Sequence, residues 1–357
     1  MKCTIQNIAD HLGLSRNTVS KALKNSSEVS ENTRNLVIKT ASKLGYKNAT
    51  FATPVIPASE TGSNGTILFL TRTYASDSEF WTTVLRGIES ILSNANYHLA
   101  ISIMSDSDLK QLNFPQTISD SSIKGIILVE ICDKVVCDAL SQFNLPIVSV
   151  DMPNVPFEEL NGIDVVTMES KKNLKKIINQ LIEKGAESFG FVGDLYSPNV
   201  SRGFQERYNA LSECLAEHQL PLNQKNCLLH QTPEDFRNFQ TTVNNLQAMI
   251  SLPDVFICGN DWTAIQLIYA LQFLGFQIPK DICVVGFDNI PAASRISPSL
   301  TTISTPQKYL GIAAARQILE RIQHPNCPHV FCQYETELII RNSTNITSVS
   351  YTHLRAH

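Results

Sequence analysis

No apolar run in the 357 residues approaches 18, so nothing in the sequence reads as a membrane-spanning helix. The first residues carry a helix pattern and no secretory apolar stretch, so the expectation is a protein that is not exported. Nine cysteines are scattered without a C-x-x-C pair or a Cys/His cluster at zinc spacing. They read as reduced, mostly buried thiols in a cytoplasm, with no structural metal. Catalytic signatures are missing as well. Gly190 and Gly193 flank a strand end, but G-x-G-x-x-G, the phosphate-binding P-loop and G-x-S-x-G are absent. The eight histidines show no metal spacing. The expectation is therefore no catalytic residue, no metal and no cofactor.

What is present begins with an uneven distribution of charge. The chain carries a net −4. Residues 1–48 hold eight Lys and Arg against three acids, a net of +5, which leaves −9 for the rest. Only the N-terminal stretch is suited to phosphates, and the acidic remainder would not be drawn onto a polyanion.

That stretch carries two short helical patterns joined by a turn. Ile5, Ile8, Ala9 and Leu12 recur at helical spacing, and Gly13 suits a left-handed turn. Ser15 can cap the next helix. There Val19, Ala22 and Leu23 face one way while Arg16, Asn17, Ser20 and Lys21 face the other. Ser30 can cap a third helix, with Leu36, Val37, Thr40, Ala41 and Leu44 as its apolar stripe and Gly45 as its end. Amphipathic helix pairs commonly show a polar face to water alone. Here the third helix completes a unit whose exposed Arg, Asn and Lys match what a major groove offers: guanine O6/N7 and adenine N6/N7.

The run Thr4-Ile5-Gln6-Asn7-Ile8-Ala9, then residues 12–23, 29–34 and Leu44-Gly45-Tyr46, closely resembles the DNA-binding head of the LacI/GalR family of bacterial repressors. The resemblance implies a sequence-specific transcriptional regulator, most often a repressor, that binds a near-palindromic double-stranded operator as a homodimer. By position Arg16, Asn17 and Lys21 match the base-reading residues, and Thr4, Ser15, Thr18, Ser20, Ser30, Thr33 and Arg34 complete the expected DNA-contacting set. Lys21 stands where Arg is usual in the family, which loosens the geometry of its contact.

Residues 48–64 read as a linker carrying Pro54 and Pro57. In the family this segment usually forms a short helix on DNA and inserts a leucine. Here no such leucine exists and the prolines oppose a helix, so an extended tether is expected, with Phe51 or Val55 as the only substitute wedge.

From Gly65 onward strands alternate with helices for over 200 residues, the pattern of an α/β body with parallel sheets. Ligands in such folds sit beyond the carboxyl ends of the strands. That rule marks Asp151, Asn260, Asp261 and Asp288. The body also resembles the family's two-lobed, periplasmic-binding-protein-like core over residues 65–344. The resemblance implies an effector cleft built from Asp151, Arg207, Asn260 and Asp288, with Phe80, Trp81 and Trp262 as aromatic walls. Carboxylates and an amide suit paired hydroxyls, and a guanidinium supplies fixed donors. A sugar is the first expected effector and a purine corepressor the second; a regulator that no longer responds to ligand is a third reading.

The expected division is a helix-turn-helix head at 1–47, the linker at 48–64 and an effector-binding and dimerisation body at 65–346. Lobe 1 is expected at about 65–160 and 294–326, and lobe 2 at about 161–293 and 327–346. The chain then crosses between lobes near residues 160, 293 and 327. Residues 347–357 carry no pattern and read as a non-native tail. Two other classes compete. An enzyme tethered to DNA would need a paired acid and base in the cleft, and a secreted binding protein would need a signal peptide where the head lies.

Overall fold

A computed structural model describes residues 4–23, 29–30, 33–34, 36–37, 40–41, 63–72, 78–195, 200–230 and 238–345. The expected linker helix or tether and the terminal tail lie outside these residues. The chain divides into two compact units, 1–62 and 63–357.

In the first unit, helix α1 (Ile5–Leu12) starts at Thr4, whose side chain and that of Asn7 cap each other's backbone N–H. It stops at Gly13, which sits at φ 63° and sends its N–H back to the carbonyl of Ala9. Helix α2 (Arg16–Leu23) follows, with Val19 and Ala22 buried. Ser15 accepts the N–H of Thr18 at 3.0 Å. A third helical segment begins after Ser30, which accepts the N–H of Thr33 at 3.3 Å. Val37 and Ala41 close the small core with Ile8, Ala9, Val19, Ala22 and Val29. Leu36, expected on that apolar stripe, is instead 50 % exposed, because its neighbour Val37 takes the inward position.

The second unit holds two six-stranded sheets. Strands β1 (Thr66–Arg72), β2 (His98–Met104), β3 (Ile123–Val129), β4 (Ile147–Val150) and β5 (Ile163–Met168) belong to the first sheet. Strands β6 (Phe189–Asp194), β7 (Leu228–His230), β8 (Val255–Cys258), β9 (Cys283–Asp288) and β10 (Thr301–Ser304) belong to the second. The chain then returns β11 (Phe331–Tyr334) to the first sheet and β12 (Glu337–Ile339) to the second. The orders are β11-β5-β4-β3-β1-β2 and β12-β10-β9-β8-β6-β7, so the two halves are wound alike. The pairing is parallel throughout except between β10 and β12. Full burial along β4, β5 and β9, and burial along β1 and β3 broken only at Thr66 and Lys124, is what helices on both faces of a parallel sheet produce.

Helices α3 (Glu79–Asn94), α4 (Asp106–Gln111) and α5 (Lys134–Ser141) accompany the first sheet. Helices α6 (Lys172–Glu183), α7 (Arg202–Glu217), α8 (Phe239–Ala248) and α9 (Asp261–Phe273) accompany the second. Helix α10 (Gln307–Gln323) returns to the first lobe and packs on α3. That crossing is close because both helices present glycine. A Cβ on Gly87 would collide with the carbonyl oxygen of Lys308, and one on Gly311 with that of Val84.

The crossings between lobes fall later than the sequence suggests. They lie at about residues 169–171, 305–306 and 335–336, between β5 and α6, β10 and α10, and β11 and β12. The expected points near 160, 293 and 327 each put one strand in the wrong lobe. Strand β5 pairs with β4, β10 with β9, and β11 with β5. Each is a short strand laid down just before the chain leaves its lobe, and its residue pattern does not say which sheet it joins.

The crossings are bonded to one another. Glu169 donates its N–H to the carbonyl of Tyr334 at 2.8 Å, and Asn173 donates its amide to the carbonyl of Thr336 at 2.7 Å. The rings of Tyr309 and Tyr334 meet at 5.8 Å.

Candidate nucleic-acid interface and ligand cleft

In the head, Arg16 and Asn17 are exposed at the start of α2, and Ser20 and Lys21 are half-buried one turn on. The hydroxyls of Ser15 and Thr18 lie 2.7 Å apart, and those of Ser30 and Thr33 lie 2.8 Å apart. These four expected DNA contacts therefore have local capping partners. Thr4 is a cap as well. Arg34 donates Nη2 to the carbonyl of Val29 at 3.1 Å. The side chains carried outward by helical period are Arg16 and Asn17, and a protruding helix N-terminus of this kind fits a major groove.

In the body, the carboxyl ends of strands from both sheets converge on a cavity of about 100 Å³. On such a measure one water needs roughly 10–15 Å³, so the space admits a small molecule. Six of the seven expected effector residues line it: Phe80, Trp81, Asp151, Arg207, Asn260 and Asp288. The seventh, Trp262, does not. It is 48 % exposed on the outside of α9. Asn260 caps that helix by accepting the N–H of Thr263 at 2.9 Å, and Asp261 turns inward. The next residue is then carried outward, since each helical step turns the side chain by about 100°.

Each acidic group owes its place to a strand end. Asp151 follows β4 at φ 84°, and Asp288 ends β9 at φ 115°. Both are non-glycine residues in left-handed backbone, a strained arrangement that clusters at functional sites. Asp151 accepts the N–H of Met152 at 2.8 Å. Burial raises its carboxyl to about 6, against the pull of that N–H and of Arg207. Burial pushes Asp288 well above the usual carboxylate range, again opposed by Arg207.

Arg207 is 3 % exposed and donates Nη1 to the carbonyl of Gly259 at 2.7 Å. Its guanidinium lies 3.7 Å from the centroid of Phe287 and 5.3 Å from that of Phe204. Burial lowers its proton affinity, while Asp288 and Asp151 hold it charged. Phe80 and Trp81 meet edge to face at 4.6 Å at the start of α3, which Ser78 caps.

Behind Asp288 stands Asp261, fully buried. It accepts the hydroxyl of Thr302 at 2.6 Å and the N–H of Ile290 at 2.9 Å. Its place is one of support for the Asp288 loop rather than contact with the cavity. The carbonyl of Asp288 accepts Nε2 of Gln307 at 2.7 Å and the hydroxyl of Thr305 at 3.2 Å. The ligand wall of lobe 2 is thus hydrogen-bonded to the crossing that leads into α10.

Arg72, Glu130, Asp194, Ser201 and Phe204 also line the cavity, and none was singled out from the sequence. A signal for three of them existed. Arg72 and Asp194 are the last residues of β1 and β6, and Glu130 follows β3 directly. The strand-end rule, applied to every strand, marks all three.

Among the described residues no group of His, Cys, Asp and Glu could hold a metal, and no helix is long and apolar enough to cross a membrane.

Residues 4–48 match the family model for bacterial regulatory proteins of the lacI family, and residues 178–344 match a periplasmic binding protein-like domain. The HTH-type transcriptional repressor PurR of Photobacterium profundum is 26 % identical over 345 residues, covering 95 % of this chain and 98 % of that protein. The ribose operon repressor of Haemophilus influenzae is 27 % identical over 344 residues, with the same coverage. A LacI-family transcriptional regulator from Enterococcus faecium with bound ribose superposes at a TM-score of 0.64 with 25 % identity, covering 78 % of this chain and 98 % of that one. With a helix-turn-helix head, a two-lobed parallel α/β body and a cavity between the lobes, the chain is a member of the LacI/GalR family of bacterial DNA-binding transcriptional regulators.

Proposed function

We propose that this regulator is a cytoplasmic, non-enzymatic repressor that acts as a homodimer on a near-palindromic operator and is tuned by a sugar. The head, residues 1–47, reads bases with Arg16, Asn17 and Lys21. The body, residues 65–346, binds the effector with Asp151, Arg207, Asn260 and Asp288 against Phe80 and Trp81. One observation carries the effector reading: acidic and basic side chains from strand ends of both sheets meet in one cavity beside paired aromatic rings. Few convergent polar groups on preformed walls are what a small polar ligand needs. Carboxylates favour hydroxyl donors over the ring nitrogens of a purine.

A ligand that fits one lobe angle better than another shifts the population by its differential affinity, and operator affinity shifts with it. Selection from random duplexes should return a near-palindrome. On that duplex, Arg16→Ala and Asn17→Ala should each cost about 1–3 kcal/mol, read by fluorescence anisotropy. Undiminished binding by both variants would remove α2 from the groove. A thermal-shift screen over hexoses, pentoses, nucleosides and purines should give a hit that raises the melting temperature. Asp288→Ala should abolish that shift and leave operator binding intact. Loss of both together would assign Asp288 a folding role.

A further inference from the structure

Among the described residues lining the cleft, carboxylates outnumber guanidiniums: Glu130, Asp151, Asp194 and Asp288 against Arg72 and Arg207. Both cations hold partners through their Nη2 or Nη1 atoms, although Nε of Arg207 is buried without a hydrogen-bond partner among the described residues. Arg72 donates Nη2 to Asp106 at 2.8 Å, and Arg207 is bonded to Gly259 and sandwiched by rings. Glu130 differs from the other acids. Its carboxylate accepts the indole N–H of Trp81, yet its Oε2 is buried with no hydrogen-bond partner. Its backbone sits at φ 56°, a third acidic residue in left-handed conformation at this cavity. An unsatisfied buried carboxylate oxygen and a strained backbone are both costly, and they persist where a bound ligand gives them a use.

Three ligand charges can be compared. An anion, such as a sugar phosphate or a uronate, brings a like charge into a cavity already rich in carboxylates. A neutral sugar can donate hydroxyls but brings no charge to these carboxylates. An ammonium supplies both the donor for Oε2 and the charge, and the faces of Trp81 and Phe80 accept a cation as well. We propose that the effector is a polyhydroxylated ligand bearing an ammonium group, a free amino sugar, and that Glu130 is the specificity-determining carboxylate that receives that group. The proposal rests on the reading of this cleft as the effector site. Burial raises Glu130 to about 7 even with Arg72 nearby, which is the electrostatic cost of holding its charge away from water. A bound ammonium offsets that cost.

The test is isothermal titration of the full chain with D-glucosamine, D-galactosamine and D-mannosamine, each beside its parent hexose, its N-acetyl derivative and the hexose 6-phosphate. At least one aminohexose should bind about tenfold or more tighter than its parent and its N-acetyl form, with the phosphate weakest. Glu130→Gln should erase that preference. Should the glutamine variant fail to fold, the ligand series on the native chain decides alone. A parent, acetylated or phosphorylated sugar binding as tightly as the amine overturns the proposal, as does a preference that survives Glu130→Gln. If such a ligand is lost in Asp288→Ala, the effector reading stands and only the ammonium assignment falls. No binding across the whole panel overturns both.

Discussion

Glu130 carries a pH signature that needs no ligand. Its folded-state value of about 7 lies above the 4.5 of an ordinary glutamate, so the native state holds the proton more tightly than the unfolded chain. The stabilisation is fully present below pH 4.5 and is lost as the pH rises through 7. Glutamine keeps the shape and removes the titration. The melting temperature of Glu130→Gln relative to the native chain should therefore climb between about pH 5 and pH 8. A difference that stays flat across that range would show that Glu130 is not the titrating group. At the same scale Asp261 illustrates what sequence can and cannot mark. The strand-end rule singles it out, but its bonds to Thr302 and Ile290 make it a support for Asp288. Sequence position placed it near the cavity; only the partners of its two oxygens separate supporting from touching.

Elements differ in how plainly the sequence announces them. Strand β1 reads as an unbroken apolar run, and α3 shows its inward stripe at Val84, Ile88 and Leu92. Both ends of α1 and the start of α2 read from Thr4, Gly13 and Ser15. Helix α10 does not read so easily. Its buried face sets Gly311, Ala313, Ala314 and Ala315 between Leu310 and Ile318, and the small residues, whose value is close approach rather than bulk, are passed over by a search for large apolar side chains. The order of the lobes is hidden for a related reason. Strands β5, β10 and β11 look alike whichever sheet they enter, because pairing partners far away in sequence decide the matter. The glycine crossing yields its own prediction. Gly311→Ala places a methyl group against the carbonyl of Val84. It should destabilise the body by about 1–3 kcal/mol, seen as a lower urea midpoint with the slope unchanged. Retention of the native midpoint would mean that α3 and α10 can separate at no cost.

For the whole molecule, the separation of charge sets how it meets DNA. The head region carries +5 and the rest −9. Operator affinity should fall steeply as salt rises from 50 to 200 mM, by about a thousandfold or more if a dimer neutralises six or more phosphates. The body contributes like charge to that encounter and no counterion release. Residues 63–357 expressed alone should keep the ligand-induced thermal shift and show no measurable DNA binding at any salt in that range. Retained DNA binding by that fragment would place a second nucleic-acid surface on the acidic body.

The three lobe crossings have one further consequence. A body joined to another by a single strand can swivel, slide and twist. Joined by three segments, the first and third of them bonded through Glu169, Tyr334, Asn173 and Thr336, it is held more tightly than by one. Asp288 is bonded through its carbonyl to Gln307, just beyond the second of those segments. An effector held at Asp288 therefore pulls directly on the segment that joins the lobes.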